Sequence, residues 1–215
     1  MMMKGIFRLT LAVFSLFFIS CTTEVTLTLK QDNSVDILFE GGAGDAFSKM
    51  ISSAAGMSAS AASQAPAEND FLIDADSVSY ELAKAGFSDV KVNQKKGGAI
   101  SISMCDKKQT SYIFTSGIVK NEKGSLKAAV SKKSLVDFYE AADEQTRMIL
   151  DLFLAPVFNG ENMQEAEYIQ MVGAFYGENA AKEVNQSVIK INLISKDGKK
   201  ETIIYPLSQI MCGNL

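Results

Sequence analysis

The stretch Val25-Thr26-Leu27-Thr28-Leu29-Lys30-Gln31-Asp32-Asn33-Ser34-Val35-Asp36-Ile37-Leu38-Phe39 reads as a β-hairpin. Val25, Leu27 and Leu29 alternate with polar residues, as a strand with one buried face requires. Gln31-Asp32-Asn33 supplies turn chemistry, and Val35, Ile37 and Phe39 alternate again after it. A matching pair closes the chain: Val188–Ser195 and Glu201–Tyr205 flank Asp197-Gly198, a strong short-range hairpin signal. Strand-like segments thus cluster at both ends.

Between the hairpins, the apolar spacing turns from two residues to three and four. Asp76 is placed to cap a helix carrying Val78, Leu82 and Ala85, ended by Gly86. Strands are expected at Val90–Val92, Ile100–Met104, Tyr112–Ser116 and Leu126–Val130, with Gly97-Gly98 as a turn. Leu135, Phe138, Tyr139 and Ala142 then fall at helical spacing, followed by Met148–Phe158 with Pro156 near its end. Asn162 and Glu165 resemble a capping box opening the Tyr168, Met171, Val172, Phe175 stripe, which Gly177 breaks before a shorter helix to about Val184. The expected class is α+β: a mainly antiparallel sheet from the N- and C-terminal hairpins, with the central helical block packed on one face. Asp45 is placed to cap a short helix, and the Ala/Ser-rich stretch at about 52–69 reads as a low-complexity loop.

Working back from the first strand, Cys21 lies four residues before Val25. Lys4 and Arg8 precede an almost unbroken apolar run from Leu9 to Ile19, and Ser20 is a small residue just before the cysteine. A basic start, a short apolar core and a small-residue cleavage point define a secretory signal over residues 1–20. The run falls short of the roughly 20 residues that span a bilayer. Phe18-Ile19-Ser20-Cys21 resembles the lipobox of bacterial lipoproteins, with Phe18 in place of the common Leu and Ser20 in place of Gly or Ala. It is closer to the relaxed spirochaete-type lipobox than to the enterobacterial one. That resemblance implies a diacylglyceryl group on the Cys21 sulfur and an acylated amine. It implies an exported protein anchored to the cell membrane or outer membrane, with residues 21–215 forming a single α+β domain that faces periplasm or cell surface. Several acyl chains, at about 0.8 kcal/mol per buried methylene, make a durable anchor. The strand pair directly after the lipid cysteine is also loosely similar to actinobacterial LppM-like lipoprotein domains, which implies binding of apolar molecules.

Composition narrows the chemistry. Removing residues 1–20 takes away Lys4 and Arg8 and no acidic residue, lowering the formal charge from −4 to −6. An acidic domain repels phosphate, so nucleic acid is a poor partner. The chain has no His and no Trp. Ser-His-Asp hydrolysis and His-ligated metal chemistry are therefore excluded. Cys105 and Cys212 are a candidate disulfide in an oxidising compartment, or two buried thiols.

Other motifs read as structure. Asp70, Asp74 and Asp76 lack the ligand spacing of a calcium loop and suit helix capping. Gly41-Gly42-Ala43-Gly44 lacks the Gly-Lys-Ser/Thr ending of a phosphate loop and suits a strand-to-helix turn. Glu140, Asp143, Glu144, Asp151, Glu161, Glu165 and Glu167 suit a solvated helix face better than a carboxylate pair for glycoside chemistry. No enzyme, metal or cofactor is expected. Met148–Phe158 is apolar around nearly its whole circumference, which suits a central core helix or the wall of an apolar pocket. In the latter case Met148, Leu152, Phe153, Phe158, Tyr168 and Phe175 are the candidate lining residues. The expected function is a non-enzymatic binding module for lipid or another apolar ligand; the alternative is a protein–protein adaptor or structural component of an envelope complex.

Overall fold

The computed structural model describes residues 22–42, 75–94, 99–142 and 163–215, with Gly44, Ala46, Arg147, Leu150, Asp151, Leu154, Val157 and Asn159 as single positions between them. The expected leader and Cys21, the helix after Asp45, the 52–69 loop and the Gly97-Gly98 turn lie outside the described residues.

The first hairpin forms as its alternation requires. Strand β1 (Thr22–Leu29) pairs antiparallel with β2 (Val35–Gly42), Leu29 opposite Val35 and Val25 opposite Phe39. The turn is organised locally: Asp32 Oδ1 accepts from the Ser34 amide at 2.9 Å and the Ser34 hydroxyl at 2.6 Å. Asn33 takes φ 68°, a left-handed conformation Asn tolerates.

Helix α1 (Ala75–Lys84) leads into β3 (Ser88–Gln94) and β4 (Ala99–Asp106). Asp76 lies in the first turn of α1, where a carboxylate complements the helix dipole. The helix ends in a Schellman motif. The Phe87 amide donates to the Leu82 carbonyl and the Gly86 amide to the Ala83 carbonyl, each at 3.1 Å, with Gly86 at φ 98°. Leu82 and Phe87 are both buried. Next come α2 (Tyr112–Thr115), the short antiparallel pair β5 (Val119–Glu122) and β6 (Ser125–Ala128), and α3 (Lys132–Ala141). Helices α4 (Glu165–Tyr176) and α5 (Glu178–Gln186) meet at Gly177, and β7 (Val188–Ile194), β8 (Lys200–Pro206) and α6 (Leu207–Cys212) complete the chain.

The main sheet has six strands in the order β3-β4-β2-β1-β7-β8. The class is α+β, and every pairing in this sheet but one is antiparallel. The exception is β1 with β7, whose parallel register places Val25 beside Ile191 and Leu27 beside Leu193. The two terminal hairpins thus join side by side through their first strands. Core-facing residues form continuous rows across the sheet, such as Leu193, Leu27, Ile37 and Met104. The same alternation leaves the opposite face polar. There Glu24 bonds Asn192 Nδ2 at 2.6 Å and Lys190 Nζ at 3.1 Å, and Asn192 accepts from Thr202 at 2.8 Å.

Two sequence expectations fail locally. Tyr112–Ser116 is helical rather than extended, because the preceding loop is gathered by one carboxylate. Buried Asp106 accepts from the amides of Lys108 (3.1 Å), Thr110 (3.2 Å) and Ser111 (2.9 Å), and the Ser111 carbonyl then accepts from the Phe114 and Thr115 amides. The capping box of α4 falls at Gln164 and Glu167 instead of Asn162 and Glu165.

Candidate functional site

The sheet's inner face and the helical layer do not close completely. An apolar cavity of about 70 Å³ remains between them. Its floor is the row alternation of the sheet: Val25 and Leu27 from β1, Ile37 from β2, Met104 from β4, and Ile189 and Ile191 from β7. Its roof comes from separate local devices. The Schellman cap of α1 supplies Leu82 and Phe87, the Asp106-gathered loop supplies Ser111–Ile113, α3 supplies Leu135 and α6 supplies Ile210. At about 24 cal/mol per Å³, a void of this size costs the fold roughly 1.7 kcal/mol.

One wall residue departs from the apolar pattern. Ser111 is the N-cap of α2, a position where a serine hydroxyl ordinarily accepts from the helix's free amides. Here it makes no capping bond. Its residue is 6% exposed, and its hydroxyl has no hydrogen-bond partner among the described residues. Its backbone is fully engaged, the amide by Asp106 and the carbonyl by α2. Beside it, the Tyr112 ring packs on Phe138 at 5.8 Å between centroids. Burial, with Asp137 adding to it, pushes the Tyr112 phenol up to about 12. Both hydroxyl groups are neutral at physiological pH, and every other lining side chain is aliphatic, Met or Phe.

The candidate wall residues named from sequence fall elsewhere. Met148, Leu152, Phe153 and Phe158 lie outside the described residues. Their described neighbours Leu150, Leu154 and Val157 are helical and buried at i, i+4 and i+7, a core stripe. Tyr168 is buried away from the cavity wall, its hydroxyl donating to Met211 Sδ at 3.2 Å. Phe175 is 77% exposed, against Tyr176 at 6.4 Å between ring centroids.

Cys105 and Cys212 do not form the candidate disulfide; both are buried free thiols. Cys105 alternates with cavity-facing Met104 and so lies on the opposite sheet face, beside Asp36. Cys212 sits in α6, on the helical side of the sheet. Burial pushes both thiols up, Cys212 to about 11. The described acids of the central helices are used structurally: Glu165 accepts from Ser208 at 2.8 Å and Glu167 closes the α4 cap. Among the described residues, no three His, Cys, Asp or Glu residues converge as metal ligands.

A second, shallow groove lies on the outer sheet face, lined by Thr26, Thr28, Lys91 and Asp89 among others. Its central charges, Lys30 and Asp36, neutralise each other at 2.7 Å, so it favours neither sign of ligand. Among the described residues no helix is long and apolar enough to cross a membrane.

Sequence reasoning missed the cavity because each roof segment is short and comes from a different loop or cap. The Leu82-to-Phe87 cap was legible through Gly86; the role of Asp106 and Ser111 was not, since neither lies on an apolar stripe. No family model, curated protein or solved structure matches the chain.

Proposed function

We propose that this protein is a lipid-anchored envelope lipoprotein whose domain is a non-enzymatic binding module for an apolar ligand. The observation that carries the binding half is the apolar cavity between the sheet and the helical layer, roofed by Leu82, Phe87, Leu135 and Ile210. A space bounded almost wholly by apolar groups excludes ionic substrates, because a charge placed there would lose its hydration without a counterion. The anchoring half draws on Phe18-Ile19-Ser20-Cys21 and on β1 starting at Thr22, which leaves no linker between the lipidated cysteine and the sheet. The module would sit close to the bilayer, within reach of molecules that partition there.

Native mass spectrometry of the full chain carried in lipid nanodiscs tests the binding half. The reading expects a stoichiometric adduct of a neutral apolar molecule. A bare mass that also stays bare on titration with small apolar ligands would move the function to the second reading, an adaptor in an envelope complex. That reading draws on the exposed Phe175–Tyr176 pair and the open polar sheet face, and expects a protein crosslinked to a photoreactive residue at position 175.

A further inference from the structure

We infer that the cavity binds a small neutral aliphatic molecule carrying one hydroxyl or carbonyl oxygen, held by a hydrogen bond to the Ser111 hydroxyl. The inference rests on the apolar-binding reading above and names its ligand class.

Three observations lead there. The first is size. A cavity of about 70 Å³ is roughly half the ~150 Å³ that admits benzene, which leaves room for about three to four heavy atoms. Aromatic rings and whole acyl chains are too large. The second is charge: no ionisable group other than a tyrosine phenol lines the wall, so carboxylates and amines would be buried unpaired.

The third is Ser111. A buried hydroxyl with no partner costs the fold the desolvation of that group. Serine at this position has an ordinary use as a helix cap, and the hydroxyl does not serve it. It stands instead in the wall of the cavity, on a loop fixed from behind by the three amides that Asp106 collects. A ligand oxygen would complete the hydroxyl's hydrogen bonding while its carbon atoms replace the void against Val25, Leu135 and Ile189. Water is the poorer occupant, since a buried water requires two to four polar partners.

The test uses the full chain in lipid nanodiscs with labelled isoleucine methyl groups, which report the site directly and are blind to ligand dissolved in the bilayer. Ile113, Ile189 and Ile210 line the cavity, and Ile204, 57% exposed on β8, is the control. Xenon, 1-propanol and propionate are titrated separately. Xenon and 1-propanol should shift the three wall methyls saturably and leave Ile204 in place, and propionate should not. Ser111→Ala should weaken 1-propanol about fivefold, the worth of one hydrogen bond, and leave xenon within about twofold. The xenon response also shows that the variant keeps its fold and cavity. Equal affinity for 1-propanol in wild type and Ser111→Ala, or binding of propionate as tightly as 1-propanol, would overturn this inference and leave the apolar-binding reading standing. Wall methyls that ignore xenon and 1-propanol alike would overturn both.

Discussion

Ser111 and Cys212 show how burial changes what a single polar side chain does. Replacing a buried hydroxyl ordinarily destabilises a protein by about 1 kcal/mol through the lost hydrogen bond. At Ser111 no such bond exists among the described residues, and the backbone bonds to Asp106 and α2 survive in alanine. Ser111→Ala should therefore leave the urea midpoint unchanged or raise stability by up to about 1 kcal/mol. A loss beyond about 1 kcal/mol would mean the hydroxyl bonds within the protein. Cys212 makes a prediction in pH. Its thiol is held up to about 11 from an ordinary 9.0, first by burial and then by the Glu165 carboxylate. The folded state binds this proton more tightly than the unfolded chain, so the associated stability is fully present below pH 9 and is lost as pH rises toward 11. The stability difference between wild type and Cys212→Ala should shift against the wild type across that window, in a series of urea midpoints. A constant difference would show that the thiol titrates alike in both states. Phe175 carries the opposite lesson: an aromatic at helical spacing, legible as core, ends in solvent because α4 turns at Gly177 one residue past Tyr176.

Elements with strong local signals were readable from sequence. Both hairpins follow from alternation plus Asp32-Asn33 and Asp197-Gly198, and α1, α3, α4 and α5 follow from apolar spacing and their ends. Gly86 is the clearest of these ends: at φ 98° any side chain is strained even though nothing crowds it. Gly86→Ala should cost about 1–2 kcal/mol in thermal or urea denaturation. A neutral result would mean that α1 frays and the Leu82–Phe87 roof is not rigid. Where pattern failed, a tertiary contact decided. Tyr112–Ser116 has the β-prone composition of a strand, yet Asp106 fixes the loop before it and starts a helical turn. Helix α6 went unread because its six residues follow β8 with no turn between. It is placed by the Leu207 amide donating to the Ser187 carbonyl at 2.9 Å, a contact no local pattern announces.

At the scale of the whole molecule, two independent hairpins are fused by the parallel β1–β7 pairing, which no sequence periodicity distinguishes from an antiparallel one. That pairing puts β1 in the interior of the sheet, so the chain directly after Cys21 is tied down by hydrogen-bonded neighbours on both sides. An anchor at Cys21 would therefore hold the cavity-bearing layer through a rigid strand and not through a tether. The binding site proposed for Ser111 is a small volume between the two layers, and its access to membrane-partitioned molecules depends on that anchoring. The measurement that tests the account most directly is the intact mass of the protein extracted from the cell membrane. The account predicts a chain that begins at Cys21 and carries the added mass of a diacylglyceryl group, and a Cys21→Ala protein without it. A wild-type chain cleaved elsewhere, or one whose Cys21 is unmodified, would contradict it.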